Sequence, residues 1–375
     1  MNITRKAALG GLAITAAGAL LLAGCAPAPE TGAETPAATD APEASSFMPC
    51  MVSDAGGFDD KSFNELAHTG LVKAAGDLGL DYKAIESAGD AEYAPNINGL
   101  VDEGCNLIIT VGFALSAATV EAALANPEVE FAILDDAADN DFDGKTDAPN
   151  IKPLLFDTAE AAFLGGYTAA SYSTSGVVGT FGGVGFPTVS IFMDGFAQGV
   201  AYYNEAKGAN VQVLGWDVNN PDAGVFVSGD PAVGFAAGPL PLAIAEGFIA
   251  QGADVIHPVG GPIFESAAAA IEASGKDVAL VGVDADQYLT APAQASLFLT
   301  SVQKLMDAAV YDVIQAAAAG EFDATPYIGT LENGGVGLAP FHDFESKVSP
   351  DLQGELDAIA ADIMSGKLVV TSYLK

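Results

Sequence analysis

The stretch Met51-Val52-Ser53-Asp54-Ala55-Gly56-Gly57-Phe58-Asp59-Asp60-Lys61-Ser62-Phe63-Asn64 decides the fold. A short apolar run leads into a loop of Asp and Gly, and the loop leads into a helix. Phe63, Leu66, Ala67, Leu71, Ala74, Ala75 and Leu78 fall on one face of a 3.6-residue period. Ser62 and Glu65 have the spacing of a capping box, which places Phe63 and Asn64 in the first helical turn. The segment is therefore a strand, a loop and a helix in that order.

The same alternation continues. Strands are expected at 82–86, 107–111 and 131–134, with helical stretches around Ile97 to Val101 and from Ser116 to Ala125. A second series begins near Ile151. Its strands are expected at 177–181, 211–215, 255–258, 278–283 and 297–300, and its helices at 159–172, 189–205, 242–251, 264–273, 302–319 and 350–365. A Gly- and Pro-rich insertion, Asn219 to Pro241, interrupts it. Repeated βα units imply parallel sheets covered on both faces, and two series imply two similar lobes.

In open α/β sheets a ligand sits beyond the carboxyl ends of the strands. Those positions carry Asp54, Phe63 and Asn64 after the first strand, Gly112 and Phe113 after the third, and Asp135 and Asp136 after the fourth. The second series contributes Gly182-Gly183, Trp216-Asp217, Gly260-Gly261-Pro262 and Asp284-Ala285-Asp286. Carboxylates accept hydrogen bonds from vicinal hydroxyls, aromatic rings stack on a flat base, and glycines let backbone approach a ligand. Facing lobes pool these groups in one cleft, and the combination suits a nucleoside or a sugar.

The N-terminus reads as a targeting segment. Arg5 and Lys6 precede an uncharged apolar run from Ala7 to Leu22, too short for a good membrane span. Leu22-Ala23-Gly24-Cys25 resembles the lipobox of bacterial lipoproteins, which implies lipidation of Cys25 and removal of residues 1–25 as a signal peptide. Residues 26–46 are rich in Ala, Pro, Glu and Thr and read as a disordered tether reaching roughly 25 Å. The remaining cysteines, Cys50 and Cys105, each precede a strand. A disulfide between them and a pair of free buried thiols are both open at this point.

The net charge of −36, from 13 basic and 49 acidic residues, excludes nucleic acid as a partner and disfavours a phosphorylated ligand. The chain lacks a Walker A loop, a nucleophile elbow and a His-Glu-x-x-His motif, and His68, His257 and His342 are scattered, so an enzyme is not expected. No cofactor is expected. Asp139, Asp141 and Asp143 match the first half of a calcium loop, but its twelfth position is Asn150, and a solvated acidic loop is the simpler reading.

The motif Asp54-x-Gly56-Gly57-x-x-Asp60-Lys61-Ser62-Phe63-Asn64 resembles the opening of the basic membrane protein family of lipoproteins, the purine nucleoside receptor type. Further matches are Leu100 to Gly104, Val111-Gly112-Phe113, Glu160 to Tyr167, Gly252 to Ile256, Gly282-Val283-Asp284-x-Asp286-Gln287 and Thr300-Ser301. The resemblance implies a type I periplasmic-binding-protein fold, α/β, with two Rossmann-like lobes joined by a hinge. It implies 47–156 plus 302–322 as lobe 1 and 157–301 plus 323–375 as lobe 2. It also implies nucleoside delivery to an ABC transporter permease, with the membrane met only through the lipid anchor. A sugar or autoinducer ligand, or a surface sensor or adhesin, are the alternatives.

Carried over by residue, Asp54 and Asn64 stand near the ligand, Phe63 stacks on the base, and Asp135, Asp284 and Lys304 meet the ribose side. Trp216 or Phe226 is the expected second aromatic, since Trp216 stands where many members have Phe.

Overall fold

The computed structural model describes residues 47–374. The signal peptide, Cys25 and the tether lie outside them, and no helix among the described residues is long and apolar enough to cross a membrane.

The first series forms β1 (Pro49–Ser53), α1 (Phe63–Leu78), β2 (Lys83–Ile85), α2 (Asp90–Asp102), β3 (Leu107–Val111), α3 (Ser116–Ala125), β4 (Glu130–Leu134) and β5 (Ile151–Phe156). The second begins with α4 (Thr158–Tyr172), β6 (Val177–Gly182), α5 (Pro187–Lys207) and β7 (Gln212–Leu214). The insertion carries a 3-10 turn at Pro221–Ala223 and one α-helical turn, α6 (Pro231–Gly234). Then come α7 (Pro239–Ala250), β8 (Val255–Val259), α8 (Ile263–Ser274), β9 (Ala279–Asp284), α9 (Gln287–Thr290) and β10 (Phe298–Lys304). The chain ends with α10 (Met306–Ala318), β11 (Tyr327–Gly329), β12 (Val336–Leu338) and α11 (Leu352–Met364).

Two six-stranded sheets result, ordered β2-β1-β3-β4-β5-β11 and β7-β6-β8-β9-β10-β12. All pairs are parallel except β10 with β12. Strands β1, β3 and β9 are buried along their whole length, as continuous apolar runs covered by helices on both faces require. Strand order reverses between β1 and β3 and again between β6 and β8. The open sheet therefore has a crevice at the same place in each lobe.

The chain changes lobe three times: between β5 and α4, between β10 and α10, and between β11 and β12. Two expected boundaries shift. Residues 302–304, expected in lobe 1 as a helix start, extend β10, where Val302 pairs with Val283 and Gln303 with Asp284. Tyr327–Gly329, expected in lobe 2 as a Gly-rich stretch, pairs with β5 in the first sheet. The alternation of Leu297 to Lys304 is cut by Ser301 and Gln303, so the apolar pattern alone ends the strand too early.

Cys50 and Cys105 are joined, with Cα atoms 6.0 Å apart. The bond ties β1 to the loop entering β3 and closes a separation of 55 residues. By the chain-entropy argument, reduction costs roughly 4 kcal/mol. Thermal unfolding with and without reductant, or of Cys105→Ser, is expected to show that loss as a lower melting temperature. An unchanged melting point would remove the bond's stabilising role.

Candidate functional site

The first-lobe wall begins with Asp60. Its carboxylate accepts the backbone amides of Ser62 (3.0 Å), Asn64 (2.9 Å) and Glu65 (3.1 Å). Asp60 thus satisfies the first-turn donors of α1, the task that the capping box assigns to Ser62. Ser62 is released for another contact: its hydroxyl donates to Asp284 Oδ2 of the opposite lobe at 2.7 Å. Glu65 also departs from the box, accepting not the Ser62 amide but that of Lys61, one residue earlier, at 3.1 Å.

Close packing holds the rest of that wall. Asn64 Nδ2 donates to Asp54 Oδ1 (2.8 Å) and Asp60 Oδ2 (3.2 Å), and the Gly56 amide donates to Asp54 Oδ1 (3.0 Å). A Cβ at Gly56 would lie 2.7 Å from Asn64 Nδ2, and one at Gly112 would lie 2.8 Å from Asp54 Oδ2. Only glycine fits at either place, because each brings backbone against the polar cluster at the β1/β3 crevice.

Asp135 follows β4, Asp284 ends β9, and both hold left-handed backbone, with φ of 61° and 63°. That conformation is uncommon outside glycine but tolerated by Asp, and both residues turn out of their strands into the cleft. Lys304, the last residue of β10, meets both. Its ammonium bonds Asp135 Oδ2 and lies 3.8 Å from Asp284 Oδ1. The lysine side chain is 2 % exposed, so this ion cluster is dry. Phe63 and Phe192 flank the ammonium, with ring centroids 5.2 and 5.0 Å away.

The cleft lies between these walls. It gathers Asp54, Phe63, Asn64, Gly112, Phe113, Asp135, Gly260, Gly261, Asp284 and Lys304. The expected second aromatics are not in it. Trp216 donates from Nε1 to Asp194 (2.9 Å) and meets Phe226 edge-on, while the Phe226 ring packs against Gly182, Gly185 and Gly224. Both residues fill space behind the glycine loop that follows β6.

The second-lobe aromatics are instead Phe186, Phe192 and Phe235. Phe186 precedes α5, and its ring lies 5.0 Å from Phe113 across the cleft and 6.1 Å from Phe235. The Phe235 ring sits where any Cβ on Gly183 or Gly260 would be, at 2.6 and 2.7 Å. Phe186 was legible as the first aromatic after the Gly182 to Gly185 run. Phe235 was not, because it lies inside the irregular insertion.

In the acidic loop, carboxylate oxygens of Asp139, Asp141 and Asp147 approach one another within 4.8 Å. Asp143 accepts the Lys145 amide at 2.9 Å, and Asn150 Nδ2 donates to carbonyls of Ala123, Asn126 and Val129. Asn150 therefore braces the α3–β4 connection, and the loop closes on its own amides.

The model of one protein family, "ABC transporter substrate-binding protein PnrA-like", matches residues 47–222 and 240–371. The chain belongs to that family. These binding proteins are not enzymes. The chain is 31% identical over 341 residues to the CD4+ T-cell-stimulating antigen of Listeria monocytogenes, covering 86% of this chain and 88% of that one. It is 28% identical to Basic membrane protein A of Borreliella burgdorferi, covering 84% and 86%. It is 27% identical to the ABC transporter nucleoside-binding protein BmpA of Lactococcus lactis, covering 98% and 99%. Among solved structures, an ABC transporter solute-binding protein from Aeropyrum pernix K1 superposes with a TM-score of 0.74 at 24% identity, over 87% of this chain and 94% of that one. The binding protein's family match skips residues 223–239, most of the insertion that supplies Phe235.

The site's carboxyls are shifted upward. Burial pushes Asp284 to about 6 against the opposing pull of Lys304 and Ser62, and burial pushes Asp60 to about 6 against its three backbone amides. Asp54 and Asp135 are raised by burial as well. A carboxyl that holds its proton more tightly when folded favours folding while protonated. That contribution is lost as pH rises from 3.8 to about 6. The unliganded binding protein is therefore expected to melt at a higher temperature at about pH 5 than at about pH 7, followed by circular dichroism. The reverse order would mean that Lys304 and the backbone amides outweigh burial and hold these carboxyls below their ordinary range, so that the charged cluster stabilises the fold.

Proposed function

We propose that this binding protein captures a nucleoside outside the cytoplasm, tethered to the membrane by lipid on Cys25, and delivers it to an ABC permease. One juxtaposition carries the reading: a row of aromatic rings meets a dry cluster of carboxylates braced by Lys304 within one cleft. A flat apolar base suits the first, and vicinal hydroxyls suit the second. The proposed contacts are Phe63, Phe113, Phe186 and Phe235 on the base side. Asp135, Asp284 and Lys304 serve the pentose, while Asp54 and Asn64 meet the polar edge of the base. Gly260 and Gly261 let the second-lobe backbone approach.

Charge supports the uncharged ligand. Asp54, Asp60, Asp135 and Asp284 face a single ammonium, so a phosphate entering the cleft would be repelled. The Lactococcus lactis relative is itself named nucleoside-binding. The disulfide suits an exported chain, since such bonds persist in oxidising compartments. The contacts Ser62 to Asp284 and Thr290 to the Lys61 carbonyl (2.8 Å) join the lobes and suit a cleft that closes over its guest.

A thermal-shift panel of nucleosides, nucleoside monophosphates, free bases and pentoses tests this. Nucleosides alone are expected to raise the melting temperature strongly, because a ligand bound only by the folded state stabilises it by mass action. Asp284→Ala is expected to weaken nucleoside binding by roughly 1–3 kcal/mol, since it leaves ribose hydroxyls unpaired in a dry site. Stabilisation by pentoses alone would replace the nucleoside with a sugar, and tight binding of monophosphates would overturn the charge argument.

A further inference from the structure

Two consecutive residues at the edge of the first lobe, Lys61 and Ser62, reach across to the second, and neither lines the cleft. Lys61 holds left-handed backbone, with φ of 60°, which is uncommon for a lysine. Its amide donates to Glu65 Oε2 at 3.1 Å, and its ammonium pairs with Asp59 and lies 3.6 Å from Glu65. The residue is thus tied to its own lobe at its amide and its side chain. Its carbonyl accepts the Thr290 hydroxyl of the second lobe at 2.8 Å. Ser62 follows, its hydroxyl donating to Asp284 Oδ2 at 2.7 Å and lying 3.3 Å from the Val283 carbonyl.

Thr290 ends α9, a single turn anchored to the second lobe at its other end. Gln287 is buried there, its side chain accepting the Val283 amide at 3.2 Å and its own amide donating to the Ser301 hydroxyl at 3.1 Å. The Thr290 amide donates to the Asp286 carbonyl at 3.1 Å. A hydroxyl on one anchored turn therefore meets a carbonyl on another, and the bond exists only while the lobes are together. The two crossing contacts differ in what a guest does to them. Asp284 lines the cleft, so a guest competes with Ser62 for its carboxylate. Thr290 and Lys61 are absent from the cleft's lining, so their bond is the same whatever the cleft holds.

We propose that Thr290 is a latch, a positioning residue outside the cleft that sets how long a captured guest is held without taking part in choosing it. The step rests on the reading of the cleft as a site that closes over its guest. A guest leaves through the open form, and a bond present only in the closed form must break first. Removing it raises the open population and speeds release. Encounter takes place with the open form, which lacks the bond in either case, so the association rate is unaffected. Because the latch touches no guest, the same factor applies to every one of them.

Release and association of adenosine, inosine and guanosine, measured for the unmodified protein, Thr290→Val and Thr290→Ser, decide the matter. Valine keeps the shape of threonine and loses the hydroxyl, while serine restores it. Thr290→Val is expected to release all three about two- to ten-fold faster, as the loss of one hydrogen bond requires. Association rates are expected to stay within about twofold, and Thr290→Ser to behave as the unmodified protein. Unchanged release in Thr290→Val, a factor that differs among the three nucleosides, or serine failing to restore slow release would each overturn the proposal while leaving nucleoside capture intact. Small-angle scattering of the unliganded proteins supplies the arm that needs no nucleoside. Thr290→Val is expected to have the larger radius of gyration, and equal radii would overturn the latch. Binding of none of the three nucleosides by the unmodified protein would remove the nucleoside reading, and the scattering result would then decide the latch alone.

Discussion

A single ammonium bridging two lobes is the constraint around which the cleft is arranged. Lys304 ends β10 in the second sheet, Asp135 follows β4 in the first, and Asp284 ends β9 beside β10. Burying three charges away from water is costly unless they answer one another, so the positions of these strand ends are coupled. Lys304 is also the last residue before the chain crosses to α10. The ion cluster therefore sits beside one of the connections about which the lobes would turn. A change in their angle moves Asp135 relative to Lys304, while Asp284 stays with the lysine on the same sheet. A guest that hydrogen-bonds this cluster acts on one of the contacts between the lobes.

The two lobes use the same topological crevice in opposite ways. In the first, the β1/β3 reversal is filled with polar atoms: Asp54, Asn64 and Asp60 pack so tightly that Gly56 and Gly112 have no room for a Cβ. In the second, the β6/β8 reversal is filled by the Phe235 ring, and Gly183 and Gly260 are the residues with no room. Missing side chains admit a hydrogen-bonding wall on one side and an aromatic wall on the other. A binding site with one polar and one flat apolar face follows from two similar folds.

Much of this was legible in the sequence because the signals were local. The strand–loop–helix reading of Met51 to Leu78, the glycines and carboxylates at strand ends, and the pairing option for Cys50 and Cys105 each depend on neighbours a few residues apart. What escaped depends on tertiary context. Ser62 and Glu65 have the capping-box spacing, but Asp60 lies close enough to take the amides, and Ser62 is drawn to a residue 222 positions away. Ser301 and Gln303 break the apolar alternation of β10, yet Ser301 is buried, its hydroxyl accepting the Gln287 amide at 3.1 Å, and β10 continues to Lys304. Strand β11 has three residues and no pattern of its own. Its place beside β5 is set by the return of α10 to the first lobe, which no periodicity records.

The aromatic assignments separate what membership of a family transfers from what it does not. Trp216 occupied the expected position for a ring in the cleft, but its indole nitrogen is held by Asp194 and its ring supports the loop from behind. The ring that reaches the cleft, Phe235, comes from residues 223–239, which the family's model leaves unmatched. An insertion is free to vary in length because it lies between elements. Here it is folded back by Gly234 against Gly183, and Asp230 caps its α-helical turn by accepting the Ala232 amide at 3.0 Å. The polar wall thus lies in the part of the chain that the family's model matches, while Phe235 of the apolar wall comes from residues that it leaves unmatched.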